Sequence, residues 1–184
     1  MKDALADHAR LVREIEELRP QVDAVAEQLI KTYESGNVVY SFGNGGSAAD
    51  AQHLAAELLG RYARERRPLA ASALSVDPSV LTCIGNDYSF EDVFARQVRA
   101  LASSGDTVVG FTTTGRSPNV VHGLAAAREQ GATTVLFAGG SGQPAAGHAD
   151  HLLLVPSTNT ARVQEMHVLL LHLVVERVDA WAAA

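Results

Sequence analysis

Apolar residues recur at spacings of three and four over residues 3–34, with Leu5, Ala9, Val12, Ile15 and Leu18 on one stripe. Pro20 interrupts or restarts the pattern, and Val22, Val25, Ala26, Leu29 and Ile30 continue it. After Gly36 the texture changes. Short β-rich apolar runs at 37–42, 69–74, 107–111, 133–138 and 151–155 read as strands. They alternate with helical patterns at 48–59, 90–101, 120–129 and 160–181. Strands that alternate with helices predict a mainly parallel sheet covered on both faces. The expected fold is a three-layer, doubly wound α/β sandwich around five strands. It is one domain over 1–184, in which 1–35 supply N-terminal helices for domain or subunit contacts and 36–184 form the α/β core.

In such folds ligands gather beyond the carboxyl ends of the strands. Two polar loops fall there. The first, Gly43, Asn44, Gly45, Gly46 and Ser47, runs into a helical pattern. Glycines allow close backbone approach, and the following helix offers free N–H groups at its positive end. It is neither a P-loop nor a GxGxxG turn, and a plain tight turn explains it as well. The second loop, Thr112, Thr113, Thr114, Gly115, Arg116 and Ser117, adds four hydroxyls. Ser117 also suits a helix N-cap, which would account for one residue of the run. Together the loops predict a pocket for a phosphorylated sugar.

His53 and Glu57 stand four apart, on one face of the helix that follows the first loop. In the last helical pattern Gln164, Glu165, His167 and His172 interrupt a run of Val, Leu and Met. Burying such groups without partners is costly. His53, Glu57, Gln164 and His172 make a mixed nitrogen and oxygen set that suits zinc. Glu165 and His167 read as supporting residues. Asn86 and Asp87 fall in a polar turn after a short apolar run, where Asp87 suits either a helix cap or a pocket acid. His8, His122, His148 and His151 have no comparable partner pattern and read as surface residues.

Hydrophobic residues make up 47% of the chain, enough for a substantial core, and the net charge of −6 argues against broad nucleic-acid binding. The arginines at 61, 64, 66 and 67 read as a solvated helix end. The single cysteine, Cys83, allows no internal disulfide, which fits a reducing cytoplasm, and its apolar stretch reads as core. The start of the chain is charged, with no signal peptide visible, and no apolar run approaches the roughly 20 residues of a membrane span.

Four segments carry a family resemblance: GNGGSAADAQHLAAELLGRY at 43–62, CIGNDYSFEDVF at 83–94, GFTTTGRSPNV at 110–120 and RVQEMHVLLLH at 162–172. In them the chain resembles the sugar isomerase (SIS) domain family, and within it the phosphoheptose isomerases. The resemblance covers nearly the whole chain. It implies a homotetramer with active sites between subunits, and one zinc per subunit on His53, Glu57, Gln164 and His172. It implies substrate contacts from Asn44, Gly45, Gly46, Ser47, Glu57, Asn86, Asp87, Thr112, Thr113, Thr114, Ser117 and Gln164. The implied reaction interconverts sedoheptulose 7-phosphate and D-glycero-D-manno-heptose 7-phosphate through an enediol. It is the first step of activated heptose biosynthesis, with Glu57 and His172 as the acid/base residues. Two rivals are a non-catalytic tetramer of the same fold that binds protein partners, and an isomerase of another sugar phosphate. The chain departs from the family pattern at two places. TTTGRS stands where relatives often read STSGNS, which adds Arg116, and Ala161 stands where close relatives often carry aspartate.

Overall fold

The computed structural model describes residues 2–184. Helices α1 (Lys2–Glu14) and α2 (Arg19–Glu34) are joined by a 3-10 turn, Ile15–Leu18, and Pro20 sits in the first turn of α2, where a missing N–H costs nothing. Then follow β1 (Val39–Gly43), α3 (Gly46–Leu59), β2 (Ala71–Ala73), α4 (Pro78–Asp87), α5 (Val93–Leu101), β3 (Thr107–Thr112), α6 (Pro118–Glu129), β4 (Thr133–Gly139), β5 (His151–Val155) and α7 (Thr160–Ala182).

All neighbouring strands pair in parallel, in the order β2-β1-β3-β4-β5. The central strands are buried on both faces, which is why they read as continuous apolar runs. Val109, Phe111, Val135 and Phe137 face a core shared with α1, α2, α3 and α7, while Val108, Leu136 and Ala138 face a second core under α4, α5 and α6. The chain leaves β1 to one side for β2 and returns to the other side as β3. The crevice of this doubly wound sheet therefore opens between the carboxyl ends of β1 and β3.

Four expectations change. Residues 86 and 87 do not lie in a turn; they end α4. Its start is set by Asp77, whose carboxylate accepts from the amides of Ser79 and Val80, with Pro78 as the first helical residue. Cys83 is exposed on this helix rather than in the core, because α4 buries only Ile84. The N-terminal stripe divides: Leu11 and Ile15 are buried, whereas Leu5 is 69% exposed and Val12 38% exposed. Among the arginines, Arg66 is interior, its side chain 0% exposed and paired with Asp179 at 3.1 Å. Among the described residues, no helix is long and apolar enough to cross a membrane.

Candidate functional site

The loop after β1 turns sharply at Gly45, with φ 57°, and delivers Gly46 and Ser47 into the first turn of α3. The loop after β3 is shaped by its own first hydroxyl: Thr112 Oγ1 accepts from the Gly115 amide at 3.1 Å. Gly115 has φ 73°, and a Cβ there would stand 2.7 Å from the Cα of Gly142 and closer still to its carbonyl. Only glycine fits that position. The two loops are tied by a reciprocal amide pair. Asn44 Nδ2 donates to Asn119 Oδ1 at 2.8 Å, and Asn119 Nδ2 donates to Asn44 Oδ1 at 2.9 Å.

A cavity of about 280 Å³ lies between them, lined by Asn44, Gly46, Ser47, Phe111, Thr112, Thr113, Ser117, Thr160 and Gln164. Three helices begin here: α3 at Gly46, α6 just after Ser117, and α7 at Thr160. Their positive ends, with the free N–H groups of α3 and α6, favour an anion although among the described residues no lysine or arginine lines the cavity; in α7 the amides of Ala161 and Arg162 are capped by Asn159. Ser117 stands at the N-cap of α6, but its side chain makes no capping bond, so its hydroxyl is free to face the cavity. Gln164 reaches across to α3: a Cβ on Gly46 would stand 2.7 Å from Gln164 Cδ.

Further along α3 and α7 a second group converges. His53 Nε2 stands 3.1 Å from Glu57 Oε1 and 3.2 Å from His172 Nε2. One donor atom from each of the three residues lies within 4.8 Å of the others. Two imidazole nitrogens cannot face each other at this distance with both lone pairs bare; a proton or a cation must lie between them. A tetrahedral zinc with Zn–N bonds near 2.0–2.1 Å sets its ligand atoms about 3.3 Å apart, which the observed spacings match. The trio therefore fits a metal ion. Gln164 lies eight residues before His172, about 12 Å along the helix axis, with its amide over Gly46.

The end of α3 that carries Glu57 is clamped to α7. Arg66 donates to the carbonyls of Glu57, Leu58, Gly60 and Arg67, and its Nε donates to Asp179 on α7. Asp179 also accepts from the amides of Tyr62, Ala63 and Arg64. Burial alone would raise its pKa; the Arg64 and Ala63 amides and the Arg66 guanidinium outweigh this and hold it below the usual carboxylate range.

Seven of the substrate positions expected from sequence line the cavity: Asn44, Gly46, Ser47, Thr112, Thr113, Ser117 and Gln164. Gly45 and Thr114 flank it in the same loops, and Glu57 belongs to the trio. Asn86 and Asp87 lie exposed at the end of α4, bonded to each other at 2.7 Å, and do not line this cavity. Glu165 anchors α1 through His8 at 2.7 Å and also pairs with Arg162. His8 is thus half-buried with a partner rather than a free surface residue. Sequence reasoning did not single out Asn119 and Thr160, each of which sits at a helix start beside a residue it had marked.

The SIS domain family model matches residues 5–139. A phosphoheptose isomerase from Aquifex aeolicus is 51% identical over 159 residues, covering 86% of this chain and 83% of the relative. The structure of phosphoheptose isomerase from Neisseria gonorrhoeae is similar with a TM-score of 0.92 at 40% identity, covering 97% of this chain and 96% of that one. One from Francisella tularensis reaches a TM-score of 0.94 at 32% identity, with the same coverage. The chain belongs to the SIS domain family and, within it, to the phosphoheptose isomerases.

Proposed function

We propose that the chain, taken whole over 1–184 as one catalytic unit, interconverts sedoheptulose 7-phosphate and D-glycero-D-manno-heptose 7-phosphate, the first step of activated heptose biosynthesis. The observation that carries this is the pairing of two unlike half-sites on the same two helices: an anion cavity where α3 and α7 begin, and a His/Glu/His trio further along them. Spacing supports a long substrate. The rise from Ser47 to Glu57 is about 15 Å, part of which the longer Glu57 side chain covers by leaning toward the N-terminus. A seven-carbon chain with its terminal phosphate spans about 10 Å at roughly 1.2 Å per bond, the projection of an extended backbone.

The phosphate is bound by Ser47, Thr112, Thr113 and Ser117 and by the amides of Gly45, Gly46 and Thr114. Asn44 and Gln164 address the sugar hydroxyls from within the cavity, and Asn86 and Asp87, which lie outside it, would reach them across a subunit interface. This places C1 and C2 by the trio. Glu57 handles the proton at C2, and His172 takes the opposing acid/base role, so that a proton moves between C1 and C2 through an enediol. His53, Glu57, His172 and, with a side-chain shift, Gln164 would hold one zinc per subunit. When bound, zinc supplies Lewis-acid polarisation of the carbonyl. The stripe left open on α1, at Leu5 and Val12, and Leu173 on α7, 39% exposed, support a homotetramer with sites at subunit interfaces. The lone cysteine supports a cytoplasmic location.

The test is incubation of purified, zinc-loaded protein with sedoheptulose 7-phosphate in D₂O. The expected product is the aldose phosphate carrying deuterium at C2. Folded, zinc-loaded protein with no turnover sinks the proposal. A Glu57→Gln variant at full rate sinks only the base assignment.

A further inference from the structure

Between the two half-sites lies a polar pair that this chemistry does not use. Asp50 stands on α3 three residues after Ser47 and three before His53; His167 stands on α7 three residues after Gln164 and five before His172. Asp50 is 6% exposed and His167 is fully buried. The imidazole packs edge-on to Phe111 and Phe137, with centroids 6.0 Å away in each case, so it sits on β4 and on β3, whose end lines the anion cavity. His167 Nδ1 is 3.9 Å from Asp50 Oδ2, and neither atom, nor His167 Nε2, makes a well-formed hydrogen bond among the described residues, although the backbone of Ala138 lies close enough to interact with the ring.

Stability does not explain this arrangement. Buried polar atoms without partners are costly, and an apolar ring of similar size would fill the same space against Phe111 and Phe137 without that cost. Buried polar groups that cost stability are retained where function needs them. The distance is the informative quantity: 3.9 Å is too long for a hydrogen bond, and an approach of about 1 Å would complete one. Since His53 Nε2 already stands 3.2 Å from His172 Nε2, a turn of the Asp50 side chain rather than a movement of the helices closes the gap, and the bond would join the two helices that carry Ser47, His53 and Glu57 on one side and Gln164 and His172 on the other. Burial favours the uncharged imidazole, whose pKa is pushed down to about 4 against the opposing pull of the Ala138 backbone. Burial also lifts Asp50 to about 6, with nearby His53 opposing the rise. At neutral pH the bond would run from a neutral imidazole N–H to a carboxylate.

We propose that Asp50 and His167 are a positioning pair: their hydrogen bond forms when the sugar phosphate binds where α3 and α7 begin, and it holds the His53–Glu57 face at its working distance from Gln164 and His172. This rests on the isomerase proposed above. Both residues act through others and touch no reacting atom.

The test measures kcat, KM and Tm for the wild type, His167→Phe, His167→Gln and Asp50→Asn, and repeats the cycle on the double variant. His167→Phe keeps the ring packing and loses the bond, so kcat should fall about tenfold or more, as for a misplacement near 1 Å, with KM within about threefold and Tm no lower. His167→Gln retains an N–H donor and should recover part of kcat, and the double variant should be no slower than the worse single one. The proposal is overturned if His167→Phe keeps kcat within about twofold of wild type, if its kcat loss follows a lowered Tm, or if the two single losses multiply. Wild-type protein without turnover would sink the isomerase proposal separately. The pair would then be judged by the same cycle on the unfolding equilibrium, with phosphate present. Non-additivity of at least about 2.5-fold supports it there, and additivity overturns it.

Discussion

Replacing Gly46 by alanine should separate the site from the fold. Gly46 opens α3 with no left-handed backbone requirement, so the backbone accepts alanine. The obstacle is Gln164, since the new methyl would stand 2.7 Å from its Cδ and 2.9 Å from its Oε1. Carbon atoms rest 3.5–4.0 Å apart, so the amide must retreat by about 1 Å. It can do so, because it ends a flexible side chain on a helix held independently by its neighbours. Stability should therefore change little: a compatible glycine-to-alanine change contributes about 0.5 kcal/mol, and Tm should stay within about 2 °C. Turnover should not survive as well. A misplacement of 1 Å costs about 10²-fold, and the methyl also enters the anion cavity. The assay is kcat/KM on the sugar phosphate beside a melting curve at fixed protein concentration, since assembly makes Tm concentration-dependent. Gly115→Ala is the contrast. There φ is 73° and the obstacle is the backbone of Gly142, so Tm and activity should fall together. Retention of kcat/KM within about threefold in Gly46→Ala would refute the placement of Gln164 at the site, and a Tm loss beyond about 5 °C would refute the claim that only a side chain yields.

Arg66→Ala strands a buried carboxylate and four carbonyls, and breaking such a pair costs about 3–5 kcal/mol, or about 10 °C in a chain of this size; a calorimetric loss under about 1 kcal/mol would show that the clamp is not structural. Because Asp179 is held below its ordinary range, this stability is present above the ordinary carboxylate pKa and is lost as pH falls through the folded value; wild type but not Asp179→Asn should show that acid loss in urea titrations. The interior pair should give opposite slopes between pH 4 and 6 in metal-free protein. Asp50→Asn leaves His167, whose lowered pKa of about 4 makes stability fall on acidification, whereas His167→Phe leaves Asp50, whose raised pKa of about 6 makes it rise. Zinc competition against a chelator should show one tight site per chain, weakened at least about tenfold by His53→Ala or His172→Ala; equal affinity in those variants would exclude the trio as the site.

The strands and α7 were legible because their burial is visible locally. Buried parallel strands are unbroken apolar runs, and polar residues inside the apolar α7 stand out. Helix α4 was not, because a surface helix that buries only Ile84 has almost no apolar period; its one clear mark is Asp77–Pro78, a cap followed by a first-turn proline. Cys83 was misplaced for the same reason. Arg66 looked like its three neighbours, since what buries it is Asp179, 113 residues on. In the site, the His53–Glu57 spacing was visible as one helix face, but its junction with His172 crosses 119 residues and depends on how α3 packs against α7. The amide pair Asn44–Asn119 was likewise hidden: each residue lay at the edge of a marked loop, and only the β1–β3 adjacency makes them partners.

That adjacency also resolves an electrostatic conflict. A chain of net charge −6 repels a phosphate dianion at long range, and among the described residues no basic side chain lines the cavity to offset it. In the proposed function the attraction comes instead from the starts of α3, α6 and α7 and from hydroxyls, which act only within about a helical turn. Binding of this kind selects by fit rather than by field. A phosphate that does not reach the three helix ends gains nothing, and one that does is held with its far end directed along α3 and α7 toward His53, Glu57 and His172. The fold thus converts a charge that disfavours capture into a requirement for length. A sugar phosphate too short to span the half-sites would seat its phosphate and leave C1 and C2 away from the trio, acting as an inhibitor rather than a substrate.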